Sequence, residues 1–189
     1  MIPSPETVGM VIDALNESGA PYIITGSIAS NAYGQPRATI DADFVVNASH
    51  DALEAIFRRM SATLRRDPQV AFESVTGKVQ HKFRHPETAF AIEVFEANMN
   101  DPHEQSRFAR RRPETLMGKP TYFPTAEDVI VGKLRWLKRI NRAKDRNDLL
   151  LVLKRQWDTL DWAYIRRWCG EHTSLSLLEA LATEVRPPS

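Results

Sequence analysis

The chain has 189 residues, 42% of them hydrophobic and 26% charged, which suits a globular protein with its own core and excludes a disordered chain. Its formal net charge of +1 argues against a protein that coats nucleic acid along its whole length. The charge is uneven, however: residues 1–104 carry 8 basic and 14 acidic side chains, whereas residues 105–146 carry 12 basic and 4 acidic ones.

Nothing in the sequence predicts export or membrane insertion. Cys169 is the only cysteine, so no disulfide can form within the chain, and one thiol cannot build a zinc site. The N-terminus lacks the basic and apolar segments of a signal peptide, and no apolar run approaches the roughly 20 residues needed to cross a bilayer. We therefore expect a cytoplasmic protein without a membrane partner.

The first 124 residues alternate between helical and strand periodicity. The predicted helices are residues 5–18 (with Ser4 as the cap), 27–33, 50–66 and 101–112. The predicted strands are residues 21–25, 39–46, 69–75, 79–84 and 89–95, followed by a small hairpin of 115–117 and 121–123. This half of the chain is therefore expected to form a mixed β-sheet flanked by helices.

The remaining residues read as helices only. Thr125 precedes Glu127 and Asp128, a pattern typical of a helix start, and that helix is expected to run to about Asn141. Further helices are predicted over 143–155, 161–172 and 174–185, and Pro187-Pro188 ends the chain. The fold class is thus α/β (α+β), with a core over residues 1–124 and a C-terminal helical region over 125–189 in a single compact unit.

The segment richest in chemistry is Gly26-Ser27, followed after 13 intervening residues by Asp41-Ala42-Asp43. A glycine that ends a strand and opens a helix lets a phosphate approach the free N–H groups of the first helical turn. Asp41 and Asp43 lie at i and i+2 on a strand, so both carboxylates share one face and can hold divalent cations. Taken alone, a Gly-Ser pair is usually a helix cap, and an Asp-x-Asp pair is usually part of a solvated strand face. The order strand, Gly-Ser, helix and then Asp-x-Asp on a second strand is much less common by chance.

Residues 22–46 resemble the signature of the nucleotidyltransferase superfamily, which has the fold of DNA polymerase β. The match is similar to the AbiEii-type branch, found as toxins in toxin–antitoxin pairs, in the form Gly34-x-x-Arg37-x-Thr39-x-Asp41-x-Asp43. The resemblance implies an NTP substrate and a two-ion Mg²⁺ (or Mn²⁺) site on Asp41 and Asp43. It also implies that Gly26 and Ser27 cradle phosphates, while Arg37 tethers a loop or a phosphate.

The family places a third carboxylate on a neighbouring strand, and Glu93 matches that position. The resemblance implies that Glu93 completes the metal site or acts as general base for the acceptor hydroxyl. The alternative is a solvent-facing glutamate on an edge strand. Family acids at this position are often aspartate, and the longer glutamate could reposition the metal or the base.

A second resemblance lies downstream, over residues 126–139 and 144–149. It implies catalytic and nucleotide-binding roles for Lys133 and nucleotide-binding roles for Lys144, Asp145 and Asp148. Helical geometry supports this independently, because Ala126, Ile130 and Leu137 fall within about 60° of Lys133 around the helix axis. A lysine in such a stripe either extends to solvent or meets a buried anion. Asp145 and Asp148 could equally be surface acids that pair with basic neighbours.

The basic segment contains one further candidate surface, formed by Arg107, Arg110, Arg111 and Arg112. These residues could be a solvated helix face, or they could hold a polyanionic acceptor such as RNA or tRNA.

The preferred hypothesis is a Mg²⁺-dependent nucleotidyltransferase that releases pyrophosphate and transfers a nucleotide to an RNA or tRNA end or to a protein hydroxyl. The family resemblance also implies an antitoxin as a protein partner. One alternative is a catalytically inactive module of the same fold that acts through a protein partner. A weaker alternative is a hydrolase that uses the Asp-x-Asp pair on phosphate monoesters.

Overall fold

A computed structural model describes residues 5–185. The helices are α1 Pro5–Ser18, α2 Gly26–Tyr33, α3 His50–Met60, α4 Pro102–Arg110, α5 Ala126–Leu137, α6 Ala143–Gln156, α7 Trp162–Glu171 and α8 Leu175–Val185, with a 3₁₀ turn at Trp157–Thr159. The strands are β1 Tyr22–Thr25, β2 Asp41–Val46, β3 Arg65–Arg66, β4 Ala71–Glu73, β5 Lys78–Arg84, β6 Ala91–Glu96, β7 Arg112–Leu116 and β8 Lys119–Phe123. The predicted cap Ser4 and the terminal Pro187-Pro188 lie outside the described residues.

The chain forms two compact units that interleave in sequence. The first contains the residues up to Ile28 together with Ala38–Pro124, and the second contains Ala29–Arg37 together with the residues from Thr125 onward. The division therefore passes through α2.

The sheet of the first unit has the strand order β1-β2-β6-β5-β3, and β4 pairs with β5 beside β3. Only β2 and β6 pair in parallel; the other neighbours in this sheet are antiparallel. Strands β7 and β8 form a separate two-stranded hairpin. This parallel pair places the middle of β2 beside the middle of β6, although the two strands are far apart in sequence.

The two faces of the sheet are buried differently. On one face, Phe44, Ile92 and Phe83 are completely buried, and the Phe57 ring of α3 lies 5.2 Å from the Phe83 ring. This face forms the main core of the first unit. On the other face, a smaller cluster of Ile23, Val45 and Phe108 covers one part of the sheet, and the polar residues of β2 and β6 lie in the neighbouring rows.

Several predicted bounds were wrong. The helix predicted over 101–112 ends at Arg110, because Arg112 begins β7. The strand predicted over 69–75 is only Ala71–Glu73, and the helix predicted to run to about Asn141 ends at Leu137. The hairpin strands predicted over 115–117 and 121–123 are longer, at Arg112–Leu116 and Lys119–Phe123.

Two further differences concern α3 and β2. The predicted helix over 50–66 ends at Met60, because Arg65 and Arg66 pair with β5 as a strand. The predicted strand over 39–46 begins only at Asp41, and the preceding Ile40 is 58% exposed. Strand β2 therefore starts at the first of the two aspartates.

The second unit consists of the helices α5 to α8 and the residues Ala29–Arg37. Thr125 caps α5 as predicted: its hydroxyl accepts from the Asp128 backbone N–H and donates to Asp128 Oδ2 at 2.9 Å. Asp128 is 1% exposed, and its other oxygen accepts a hydrogen bond of 2.7 Å from the Tyr164 hydroxyl of α7. Across residues 5–185, none of the helices combines the length and apolar character needed to cross a membrane.

Candidate active site

The candidate site of the first unit is a row of side chains that crosses the sheet. Thr25 of β1 pairs with Asp43 of β2, Asp43 pairs with Glu93 of β6, and Glu93 pairs with Lys82 of β5. Paired residues on neighbouring strands share a face of the sheet and lie about 4.8 Å apart. The sequence predicted Asp43 and Glu93 on neighbouring strands, and their backbones are directly paired.

Gly26 begins α2 immediately after β1, against Asp43. Its φ of +61° lies in the left-handed region that glycine adopts without strain. A Cβ at this position would lie 2.8 Å from Asp43 Cγ and still closer to one carboxylate oxygen. The absence of a side chain at Gly26 therefore makes room for the Asp43 carboxylate beside the N-terminus of an α-helix.

Asp41 lies two residues before Asp43 on the same face of β2. The buried hydroxyl of Thr39 donates a hydrogen bond of 2.5 Å to Asp41 Oδ1. Both aspartates are half-buried. Thr39 thus fixes one oxygen of Asp41.

Both oxygens of Glu93 contact strand β5. Lys82 Nζ lies 2.5 Å from Glu93 Oε1, and Gln80 Nε2 donates to Glu93 Oε2 at 2.6 Å. The Glu93 side chain is 19% exposed and that of Lys82 33% exposed. Glu93 is therefore partly buried and paired, not the solvent-facing edge residue that the sequence left as an alternative.

The carboxylates of β2 suit a divalent cation of the Mg²⁺ type. Oxygen donors from a few carboxylates, completed by water and phosphate, are the ligands that Mg²⁺ prefers. Asp43 provides such donors beside the N-terminus of α2, and Asp41 provides them two residues earlier on the same face of β2. Within the described part of the chain, however, no three side chains of His, Cys, Asp or Glu are grouped so as to hold a metal ion. By their donor atoms, the two aspartates fit a Mg²⁺ ion. Because no third acid is grouped with them, the participation of Glu93 in the metal site stays a prediction.

A second cluster of predicted residues lies in the second unit. Lys133 of α5 is 11% exposed and donates to Asp145 Oδ1 at 3.1 Å and to Asp148 Oδ2 at 3.2 Å, both on α6. The Arg37 guanidinium binds the same Asp148 through two hydrogen bonds of 2.8 Å. Lys133 thus meets a buried carboxylate, that of Asp148, as its place in the apolar stripe suggested, together with the half-buried carboxylate of Asp145.

Asp148 is the centre of this cluster. Burial alone would raise the pKa of Asp148, but the Arg37 hydrogen bonds and the Lys133 charge outweigh it and hold that pKa below its ordinary value of 3.8. Lys144, in contrast, is exposed. The nucleotide-binding roles of Arg37, Lys133, Lys144, Asp145 and Asp148 stay predictions.

The segment that leads from α2 toward β2 is held at several points. Asn31 Nδ2 donates to the Arg37 carbonyl at 2.8 Å, and the Gly34 carbonyl accepts from Arg155 of α6 at 2.9 Å. Gln156 donates to the Tyr33 carbonyl at 2.9 Å. Together with the Arg37–Asp148 pair, these contacts hold residues 33–37 against α6 within the second unit.

The Asp148→Asn variant is expected to lose about 2 kcal/mol of unfolding free energy at pH 7, because Arg37 and Lys133 lose a buried counter-charge. A carboxyl whose pKa is lowered on folding stabilises the fold above its ordinary pKa, and this contribution disappears as the pH falls through the folded value. The difference between wild type and variant should therefore shrink below about pH 3.8. Urea denaturation at several pH values measures it, with the exposed Asp158→Asn as control; equal losses in both variants would contradict the argument.

The basic surface predicted near α4 needs a correction. Arg107 is only 8% exposed and its guanidinium lies 2.6 Å from Glu104, which is 2% exposed and also pairs with Lys78 at 2.6 Å. Burial alone would raise the pKa of Glu104, but the Arg107 and Lys78 cations outweigh it and lower that pKa. Arg107 is therefore not available to an acceptor, since it belongs to a buried ion cluster.

The other three arginines of this predicted surface differ in exposure. Arg110 and Arg111 are half-buried, and the Arg111 guanidinium lies 5.0 Å from the Tyr122 ring centre; Arg112 is exposed. An acceptor-binding role for these three residues stays a prediction.

A mixed sheet whose parallel central pair carries acidic residues, beside a strand–Gly-Ser–helix turn, defines the nucleotidyltransferase fold. Solved structures agree. ANT(2'')-Ia in complex with adenylyl-2''-tobramycin superposes with a TM-score of 0.63 at 12% identity, covering 90% of this chain and 97% of that one. A nucleotidyltransferase-like antigenic protein from Paracoccidioides brasiliensis gives 0.54 at 17% identity, with coverages of 95% and 94%. The lincosamide antibiotic adenylyltransferase LnuA, with lincomycin bound, gives 0.51 at 10% identity, with coverages of 80% and 98%.

The family follows from the sequence itself. The family model described as "Nucleotidyl transferase AbiEii toxin, Type IV TA system" matches residues 16–187. The chain belongs to this AbiEii nucleotidyltransferase family, which confirms the fold and the enzyme class predicted from residues 22–46. No curated protein matches the sequence.

The sequence missed two residues of the site, Gln80 and Lys82. They alternate with buried residues on β5, a pattern typical of a strand with one solvated face, so nothing local distinguished them. The only available signal was the position of β5 directly before the strand of Glu93. Their role depends on the register between β5 and β6, which a single sequence does not specify.

Proposed function

We propose that this nucleotidyltransferase is Mg²⁺-dependent and that Asp41 and Asp43 hold the cations while the first turn of α2 binds the NTP phosphates. The observation that carries the proposal is the contact between Gly26 and the Asp43 carboxylate. This contact supports the proposal because a helix N-terminus, which can bind phosphates, lies beside the carboxylate of Asp43, and a Mg²⁺–triphosphate would need both.

In the proposed reaction, the acceptor hydroxyl oxygen forms a bond to the α-phosphorus of the NTP. The bond from that phosphorus to the oxygen bridging it to the β-phosphate breaks, and pyrophosphate leaves with its electron pair. The bound cations would supply charge neutralisation of the triphosphate. Asp41 and Asp43 would bind these cations, Gly26 and Ser27 would orient the phosphates through backbone N–H groups, and Glu93 is the candidate to take the acceptor proton or to add to the metal ligands.

The proposed acceptor is an RNA or tRNA end or a protein hydroxyl. ANT(2'')-Ia and LnuA were solved with antibiotic molecules, whereas the family description of this chain names a toxin. We propose the toxin role and an antitoxin partner on that description alone.

The experiment is to incubate the full chain and Mg²⁺ with each of the four α-³²P-labelled NTPs, in parallel with total tRNA, a protein extract and an aminoglycoside. Label on tRNA or protein, dependent on Mg²⁺ and lost with EDTA, is the expected result. Label on the aminoglycoside alone would contradict the proposed acceptor, and no label transfer to any acceptor would contradict the activity.

The toxin role leads to a separate expectation in cells. Induced expression of the wild-type chain in a bacterial host should stop growth within a few generations, and the Asp41→Asn/Asp43→Asn variant should not. The growth curves are compared at matched protein levels, measured by immunoblot. Equal growth arrest by the wild type and the double variant would show that the arrest does not come from nucleotide transfer.

A further inference from the structure

Both carboxylate oxygens of Glu93 are bound by residues of β5. Its oxygens contact Lys82 Nζ at 2.5 Å and Gln80 Nε2 at 2.6 Å, one partner for each oxygen. Lys82 is also the direct cross-strand neighbour of Glu93, so the two side chains can form the ion pair across adjacent strands. Strand β5 lies on the opposite side of β6 from β2, which carries the two aspartates. The Glu93 carboxylate is therefore drawn away from Asp41 and Asp43.

The charge of Lys82 adds to this effect. A lysine ammonium held against a carboxylate competes with any divalent cation for the same oxygen atoms. With Lys82 bound to Oε1 and Gln80 donating to Oε2, Glu93 would have to break both contacts before it could ligate a metal. This agrees with the absence of a three-acid group among the described residues.

We propose that Lys82 and Gln80 are positioning residues that keep Glu93 out of the metal site, so that Asp41 and Asp43 alone provide the protein's carboxylates to the cations. The proposal rests on the proposed function and narrows the role of Glu93. Of the two roles that the sequence left open for Glu93, metal ligand or general base, the proposal excludes that of a metal ligand. Nucleotide transfer then requires Glu93 to be intact, while metal binding does not.

Direct Mn²⁺ binding tests the proposal without depending on the acceptor. Isothermal titration calorimetry and the EPR signal of free Mn²⁺ measure its affinity for the full chain, with and without a non-hydrolysable ATP analogue. We expect Glu93→Gln to change the Mn²⁺ affinity less than about twofold, and Asp43→Asn to weaken it by tenfold or more. A Glu93→Gln variant as weak as Asp43→Asn would overturn the proposal.

A double-mutant cycle isolates Lys82. The Lys82→Met variant releases Glu93 toward Asp43, so Mn²⁺ should bind about tenfold more tightly, and the further change Glu93→Gln should remove that gain. Lys82→Arg should bind Mn²⁺ as the wild type does, because a guanidinium can keep the pair. Gln80→Leu should give a smaller gain of the same sign. If the gain of Lys82→Met persists with Glu93→Gln, the effect is one of net charge and the proposal fails.

Two controls complete the experiment. Arg65→Met removes an equal charge from an exposed residue of the same sheet and should leave the Mn²⁺ affinity unchanged; a gain equal to that of Lys82→Met would contradict the proposal. Label transfer should fall in Lys82→Met with little change in the KM for NTP, and Lys82→Arg should recover it. If Asp43→Asn still binds Mn²⁺ with the wild-type affinity, the proposed metal site is wrong, independently of the results for the Lys82 variants. Failure of the proposed function is therefore distinguishable from failure of the proposed role of Lys82.

Discussion

Replacing Asp41 and Asp43 together by asparagine is expected to reduce nucleotide transfer by a factor of about 1,000 or more, because the variant keeps the shape of both side chains but loses the charges that bind the cations. The measurement is the initial rate of label transfer from NTP at saturating Mg²⁺. The matched control is Asp51→Asn, an exposed aspartate in the first turn of α3, which should retain full activity.

The stability of this variant separates a functional role from a structural one. Asp41 and Asp43 lie about 7 Å apart along one face of β2, so their charges repel each other. The double variant should therefore melt at the same temperature as the wild type or slightly higher. A variant that is inactive only because it has unfolded would contradict the assignment, as would a folded variant that transfers nucleotide at the wild-type rate.

The Gly26→Ala variant is expected to have the second largest effect, a loss of transfer of about 100-fold, because a misplaced reacting group costs about that much. The new Cβ would collide with the Asp43 carboxylate, and the side chain of Asp43 would have to turn away from the start of α2. Binding of the ATP analogue should weaken in parallel, because the phosphates and the metal-binding carboxylate meet at this point. Calorimetry with the analogue and the transfer assay measure the two effects.

Gly19→Ala supplies the control for backbone strain. Gly19 has a φ of +68°, close to the +61° of Gly26, but no atom lies within 4 Å of a Cβ built on it. Both alanine variants should lose about 1–2 kcal/mol from the left-handed backbone conformation. Only Gly26→Ala should also lose activity. Equal activity of the two variants would mean that the contact with Asp43 has no catalytic consequence.

The local parts of the fold could be predicted from the sequence because their signals are local. The cap at Thr125, the strand–helix turn at Gly26 and the alternation in β2 all depend on neighbouring residues, and each is present. The parallel pairing of β2 with β6 is not encoded locally. The family resemblance at Glu93 led us to expect neighbouring strands, but the parallel direction was not predicted, since periodicity alone cannot choose the partner or the direction of a strand.

One limit of the sequence is that a side chain's partner can lie far away along the chain. Arg37 pairs with Asp148, and Lys78 pairs with Glu104. Arg107 looked like part of an exposed basic surface because its neighbours along the chain are basic. Its burial depends on Glu104 and on the packing of α4, and the spacing of charges in a sequence does not report either.

The interleaving of the two units limits how this protein can be divided or recombined. A fragment that ends at Pro124 would contain the complete carboxylate row but would leave Arg37 without Asp148 and the Gly34 carbonyl without Arg155. The C-terminal helices are therefore not a removable extension. A chimera that takes them from another member of the family would also have to take residues 29–37 from the same parent, although these residues lie in the first fifth of the chain.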